Sequence, residues 1–599
     1  MSITKTLGIV AAAMPLAIVL SGCAPLARPA PTGAQAVDFA SMCTPEAMAS
    51  VASQLDSGVV VKQVPNGPQL PGGTKLASAS GKTPAYCQAT GSYVTNPETG
   101  KTANFIATFP ERWNGKYLQL GCSGSCGYLL MNDPAAAPIT ITAQGYPGQL
   151  IEKGYAIFGN DLGHTADNPG SLDFSWMNNA DGSLNADAID DYLVRADRVM
   201  ADMGKALTRA FYSRQTGASA EIAKSYFDGC SQGGREALVA ATRFPEKFDG
   251  IIAGSPASDV VGVMWHGLGR ELFAKQSSPA KLTTGQIAML QALATQQCDA
   301  ADGVLDGLIQ NPAACNIHPS RDLPVCEAGQ PGDTCLTLEQ AQNLSVYFSG
   351  VTDENGNLLQ PGMPISDQTY GFVGPVAAGM PVDADMRTTI GKAFDDKPLF
   401  DTAAGGPGAI DAFHLTLSGP AYRKLLEIMH AGMVMPEDFA PFLQGDGKLL
   451  WYHNLSDDTL TPYMSINRYK RLAELHGGYE ELQNDIRFFG IPGSGHCGMS
   501  GPGPSNFDAI GTLEAWVEQG IAPNAIIARQ LDPASENILM GTVDWSRPSP
   551  RTMPLCMFPQ MAAYTGSGDF NDTANWECRA SDDRMLQIGE SGRQAGVLQ

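Results

Sequence analysis

The stretch YFDGCSQGGREAL, Tyr226 to Leu238, contains a turn that admits few surroundings. Gly229-Cys230-Ser231-Gln232-Gly233 fits G-x-S-x-G, in which a strand ends, a serine is thrust out and a helix begins. Glycines flank the serine because a side chain at either place would collide with the neighbouring strand or helix. Ser225-Tyr226-Phe227 reads as strand and Arg235 to Ala241 as helix, so the required context is present on both sides. A serine hydroxyl is a poor nucleophile until a positioned imidazole takes its proton. The turn therefore raises the question of where a base would come from.

The chain has 599 residues, more than one simple core takes, and is expected to form two to four compact units. Lys and Arg number 38 against 61 Asp and Glu, a formal charge of −23. Without a basic surplus to neutralise phosphates, nucleic acid is excluded as a partner.

The N-terminus carries Lys5, an apolar run from Leu7 to Leu20, and then Leu20-Ser21-Gly22-Cys23. A basic start, a short apolar region and small residues make a secretory signal, and the run is too short for a membrane span. LSGC resembles the bacterial lipobox, in which Cys23 becomes the lipidated first residue. Ala24 after it fits retention at the outer membrane. Residues 1–22 are thus expected to be a lipoprotein-type signal peptide, and 23–38, rich in Pro, Ala and Gly, a flexible tether. The expected location is the outer membrane, with the chain exported, anchored through Cys23 and facing the periplasm or cell surface. No obligate protein partner is expected.

There are 13 cysteines. Setting Cys23 aside leaves an even number, as a disulfide-bonded exported protein should have. Cys122/Cys126, Cys298/Cys315, Cys326/Cys335 and Cys556/Cys578 are close enough in sequence for local pairing, and Cys43 with Cys87 would close the N-terminal segment. Cys230 and Cys497 are left over. Cys230 precedes Ser231, and Cys497 follows His496 in PGSGHCGMSGPG. If these two are bonded, their Cα atoms lie roughly 5–6 Å apart, and Ser231 and His496 come near hydrogen-bonding distance. No C-x-x-C pair points to zinc or to a redox dithiol.

An imidazole base needs a carboxylate to hold its tautomer, and in α/β hydrolases the chain order is Ser, acid, His. Leu449 to His453 reads as a late strand that runs into a loop holding Asp457 and Asp458. Both qualify, with Asp457 preferred. An oxyanion hole needs backbone N–H groups aimed at the developing charge. Gln232 offers one. The loop Gly121 to Gly127, after the strand-like Tyr117 to Leu120, offers the other, with Gly124 preferred and Ser123 next; a Cys122–Cys126 bond would rigidify it.

A second constellation is independent of the first. Residues 298–309 read CDAADGVLDGLI. Asp299, Asp302 and Asp306 are spaced for one oxygen-rich cage that the carbonyls of Val304 and Leu308 would complete. Hard oxygen ligands select calcium, in a structural role. The loop is not an EF-hand, since it lacks the glutamate at the twelfth position.

Taken together, the CS…D…HC arrangement, the Asp-rich loop, the cysteine framework and the stretch FDGCSQGGREALVAATRFPEKFDGIIAGSPA resemble the tannase and feruloyl esterase family, which includes the mono(2-hydroxyethyl) terephthalate hydrolases. The likeness runs from about Cys43 to Cys578. It implies an α/β-hydrolase fold with a large inserted lid: core residues 39–255, lid 256–440 with the calcium loop, and core 441–599. It implies Ser231 as nucleophile, Asp457 as acid, His496 as base, a Cys230–Cys497 staple, and the calcium ligands named above. Leu460 would face the acyl group, with Phe413, His414, Trp265, His266 and Leu417 as candidate walls of the substrate pocket. The expected activity is hydrolysis of small aromatic esters of feruloyl, galloyl or terephthaloyl type through an acyl-enzyme. The rivals are a serine peptidase on the same fold, and a binding protein that keeps the fold without catalysis.

Overall fold

A computed structural model describes residues 36–580 apart from 136–147, 167–174, 178, 182, 261, 263–281, 316, 318, 328–333, 339, 342–347, 349–350, 353–357, 367–434, 436–437, 533 and 537–546. The expected signal peptide, Cys23, most of the tether, and Trp265, His266, Phe413, His414 and Leu417 lie outside the described residues.

Ten strands form one sheet: β1 (Val60–Val61), β2 (Thr74–Ala77), β3 (Tyr86–Asn96), β4 (Lys101–Pro110), β5 (Lys116–Leu120), β6 (Ala156–Asn160), β7 (Lys224–Cys230), β8 (Gly250–Gly254), β9 (Lys448–Asn454) and β10 (Ile486–Ile491). The order is β1-β3-β4-β6-β5-β7-β8-β9-β10, with β2 also on β3. From β6 to β10 every pairing is parallel, whereas β3, β4 and β6 pair antiparallel. The swap of β5 and β6 and the run of parallel strands after it define the α/β-hydrolase topology.

The central strands are buried on both faces, which is why they read as near-continuous apolar runs. Every residue of β6 and β8 is buried. One face carries the larger core cluster, including Tyr117, Phe158, Phe227, Ile251 and Trp451. Helices α1 (Ala196–Thr216) and α2 (Gln232–Arg243) cover it, with Met200, Leu207, Ala237 and Leu238 in the same cluster. The other face holds Tyr226, Ile252, Leu450 and Phe489, packed on Ile510 and Leu513 of a helix at Ala509–Gln519.

The long segment between β8 and β9 is described in part. Helix α3 (Thr284–Cys298) opens on a capping box, Thr283 with Gln286, that satisfies two backbone donors the helix start would leave bare. The Asp-rich loop follows it and docks on two C-terminal hairpins, Ala525–Arg529 paired with Thr552–Cys556 and Gln560–Tyr564 paired with Trp576–Ala580, where Leu308 packs with Met553, Cys556, Ala562 and Trp576. Pro361 to Ser366 are all buried. They meet the loop after β9, where the Thr461 hydroxyl donates to Gly362 O at 2.7 Å and the Ser366 and Ser456 hydroxyls lie 2.5 Å apart. The insertion therefore packs against the loop that carries Asp457.

Candidate active site

Ser231 sits between the end of β7 and the start of α2 with φ +65° and ψ −122°. Its N–H donates to Gly254 O at 2.9 Å, and its carbonyl accepts from Ala257 N and Arg235 N at 3.0 and 3.1 Å. These bonds fix a backbone that an L-residue rarely adopts. The flanking glycines are sterically required, as the sequence implied. A Cβ on Gly229 would lie 2.4 Å from Gly233 O, and one on Gly233 would lie 2.9 Å from Cys122 O. The second contact also shows that the Gly121 to Gly127 loop leans directly on the serine turn.

That loop is closed by a Cys122–Cys126 disulfide, and both sulfurs lie within 4.8 Å of a carboxylate oxygen of buried Glu236 on α2. The Cys122 N–H donates to Glu236 at 3.3 Å. The amides of Ser123 and Gly124 donate to no described residue. The Gln232 amide opens α2, where helix N–H groups lack partners within the helix. The Gly121 to Gly127 loop thus lies against the first turn of α2, next to Ser231. Beneath them, Asp197 accepts from Gln119 Nε2 at 3.0 Å and from Asn160 Nδ2 at 2.9 Å. Burial, and then the charge of Asp197, push the Glu236 carboxyl well up.

All six expected cysteine pairs are bonded. Cys230–Cys497 joins the serine turn to the loop after β10, with the two Cα atoms 6.1 Å apart. His496 Nε2 lies 3.6 Å from Cys497 Sγ, on the side of the staple. The Ser231 hydroxyl makes no hydrogen bond to this ring; hydrogen bonds of this kind are often long before substrate binds.

Of the two aspartates, Asp457 is the one that meets His496. His496 Nδ1 donates to Asp457 Oδ2 at 2.7 Å, whereas Asp458 accepts from the Thr459 hydroxyl at 3.4 Å. Because an ionised carboxylate only accepts, Nδ1 carries a proton, and in the neutral ring Nε2 is the acceptor. Asp457 Oδ1 accepts from the N–H groups of Thr459 and Leu460 at 2.9 and 2.8 Å. Burial by itself raises the Asp457 carboxyl, but the charge of His496 and hydrogen bonds from His453 and His496 outweigh it and hold the group well below its usual range. Burial lowers His496; the charge and hydrogen bond of Asp457, with the charge of Asp458 behind them, raise it above its ordinary value.

Some site residues were not read from the sequence. Buried Ser255 donates to Asn454 Oδ1 at 2.9 Å, and Asn454 Nδ2 donates to Ser494 Oγ at 2.7 Å, latching the ends of β8 and β9 to the His496 loop. His453, fully buried at the end of β9, lies 3.4 Å from Asp457 Oδ2. A polar residue in an apolar strand was the available signal for both Asn454 and His453. Leu460 is 5% exposed and packs in the main core cluster.

In the Asp-rich loop, Asp299 accepts from the N–H groups of Asp306 and Gly307 at 3.2 and 3.0 Å, and Asp302 Oδ1 accepts from Val304 N at 3.1 Å. Asp306 pairs with Arg551, a contact the sequence did not reveal. Asp302 Oδ2 is buried with no hydrogen-bond partner among the described residues. Burial, then the charges of Asp306 and Asp299, push the Asp302 carboxyl up to about 7. An orphaned carboxylate oxygen among mutually repelling carboxylates suits a hard divalent cation, but Asp299, Asp302 and Asp306 do not bring one carboxylate oxygen each to within 4.8 Å of one another, so the three are not gathered into a closed cage.

The sheet order, the strained serine turn and the stapled histidine loop describe an ester hydrolase on an α/β-hydrolase frame. Residues 87–579 match the family described as "Tannase and feruloyl esterase", and the chain belongs to that family. Feruloyl esterase C of Talaromyces stipitatus is 28% identical over 492 residues, covering 79% of this chain and 82% of that protein. An uncharacterised esterase of Xanthomonas campestris is 28% identical over 582 residues, 92% of each chain. The crystal structure of feruloyl esterase B from Aspergillus oryzae superposes with a TM-score of 0.66 at 22% identity, covering 90% of this chain and all of that one, which bears on the fold alone. The protein is a carboxylic ester hydrolase.

Proposed function

We propose that the chain hydrolyses esters of aromatic carboxylic acids, of feruloyl, galloyl or terephthaloyl type, through a Ser231–His496–Asp457 acyl-enzyme mechanism. The observation that carries this reading is the 2.7 Å bond from His496 Nδ1 to Asp457 Oδ2, on a loop stapled to the residue beside Ser231. His496 Nε2 takes the Ser231 proton as Oγ attacks the ester carbonyl. The N–H groups of Gln232 and Gly124 receive the oxyanion. Protonated His496, steadied by Asp457, then gives its proton to the leaving alcohol. Water, activated by the same nitrogen, releases the acid and restores Ser231. Leu460 contributes to the acyl pocket.

Asp299, Asp302 and Asp306, with the carbonyls of Val304 and Leu308, hold a calcium ion. Such an ion supplies charge neutralisation to a loop that packs on the C-terminal hairpins, and takes no part in the chemistry. The protein is exported and anchored to the outer membrane through Cys23. No described helix is long and apolar enough to cross a membrane.

The test is turnover of a matched panel: methyl gallate, methyl ferulate, chlorogenate and mono(2-hydroxyethyl) terephthalate, with Ser231→Ala beside the parent. Turnover of one member that vanishes in the variant is the expected result. No turnover across the panel overturns the aromatic-acyl assignment, and turnover of a peptide substrate in its place would favour a peptidase.

A further inference from the structure

We infer that His453 is a positioning residue for the Asp457–His496 pair. The inference rests on the triad reading above and adds to it a fourth side chain that no substrate atom needs to touch.

His453 is wholly buried at the penultimate position of β9, following Trp451 and Tyr452. A buried imidazole must satisfy both nitrogens, and this one does so with partners of different kinds. Nδ1 lies 2.6 Å from the Ser465 hydroxyl of helix α4 (Pro462–Leu475), which can donate or accept. Nε2 lies 2.9 Å from Leu460 O, which can only accept. Nε2 therefore carries a proton. The same nitrogen lies 3.4 Å from Asp457 Oδ2, the oxygen that accepts from His496.

Leu460 closes a small ring. Its carbonyl accepts from His453, and its N–H donates to Asp457 Oδ1 at 2.8 Å. One imidazole thus holds the acid loop by its backbone and stands beside the carboxylate, whose Oδ1 is fixed by the loop's own N–H groups while Oδ2 accepts from His496. The second consequence is electrostatic. The Nε2–H dipole, 3.4 Å from Oδ2, offsets part of the carboxylate charge felt by His496 and moderates how tightly that ring keeps its proton. The titratable groups facing Asp457 are His496 and His453, and those facing His496 are Asp457 and Asp458. Helix α4 presents the Ser465 hydroxyl to His453.

The experiment compares kcat and KM across pH for the parent, His453→Phe, which removes the donor, and His453→Gln, whose side-chain N–H can reach the same acceptors. In His453→Phe, kcat should fall roughly tenfold with KM little changed. The acid limb of kcat/KM should move up by roughly half to one pH unit, because His496 then holds its proton more tightly. His453→Gln should bring the limb back. A purely structural role would lower the amount of folded enzyme and leave the limb where it was. A folded His453→Phe with an unmoved limb overturns the inference. If that variant does not fold, nitrogen NMR of histidine-labelled parent enzyme decides: Nε2 of His453 must be protonated, and an unprotonated Nε2 overturns the inference. Ser231→Ala separates this claim from the one beneath it. Lost turnover there with an unmoved limb in His453→Phe overturns the role of His453 alone, whereas retained turnover overturns the triad and this inference with it.

Discussion

Cys230 and Cys497 are 267 positions apart in the chain and bonded to each other, each one peptide bond from a member of the Ser231–His496 pair. The serine turn belongs to the sheet and α2, and the histidine to a glycine-rich loop that no strand pairing holds. The disulfide converts the loop's position into a covalent constraint. Replacing both cysteines by alanine should lower kcat about 10–100-fold with a smaller change in KM, since misplacement of the base costs attack geometry rather than binding. Denaturant unfolding should show a loss of roughly 3–5 kcal/mol, as expected for opening so long a loop. Unchanged kcat in the double variant would show that the loop positions itself.

The pH dependence of the reaction has a definite sign. On the proposed mechanism His496 must be unprotonated to accept from Ser231, and its pKa is raised above the ordinary 6.5 by Asp457 despite burial. The acid limb of kcat/KM should therefore fall above pH 6.5, with activity lost as pH drops through it. The same coupling acts on stability. The Asp457 carboxyl is depressed, so its contribution is present above the unfolded carboxylate pKa and lost as pH falls through the folded value. A limb well below pH 6.5 would contradict the assignment of His496.

Asp228 offers a prediction of the opposite kind. It is buried in β7, two residues before Cys230, with no hydrogen-bond partner for either oxygen among the described residues. Burial pushes its carboxyl up to about 7. A raised acid favours the folded state below the unfolded carboxylate pKa and costs stability as pH rises toward the folded value. Asp228→Asn should leave stability little changed at pH 4 and raise it on the order of 1–4 kcal/mol at pH 8. Melting curves of both proteins across that range check this, and an equal effect at both pH values would contradict it.

The Asp-rich loop predicts a metal effect on stability without one on chemistry. Chelating calcium should lower the melting temperature, and readdition should restore it, while kcat measured well below that temperature stays within about twofold. Asp302→Asn should remove the response. A chelator-treated enzyme with unchanged melting would argue that Arg551, already paired with Asp306, suffices to hold the loop.

Much of the site was legible because its chemistry is local in sequence. The glycines around Ser231 announce a strand-to-helix turn, and the dipeptides Cys230-Ser231 and His496-Cys497 announce each other. The sheet order was implied by the order of serine, aspartate and histidine rather than by any strand pattern. What stayed hidden depends on contacts between distant segments. Asp457 and Asp458 are adjacent and chemically alike; only the fold of the loop turns one of them toward His496. Glu236 reads as an ordinary helix residue until α2 is packed on the Cys122 loop and faces Asp197 on α1. His453 lies in an apolar strand, and its partners Leu460 and Ser465 meet it only when the chain doubles back into α4. The pairing of Arg551 with Asp306 spans two segments far apart in the chain and has no sequence signature.

The central claim is that Ser231 becomes acylated. Methyl ferulate mixed with the enzyme and quenched with acid within the first turnovers should leave a feruloyl group on the peptide that contains Ser231, found by mass spectrometry. The modification should be absent from Ser231→Ala. Turnover with no acylated peptide, or with the acyl group on another residue, would contradict the mechanism.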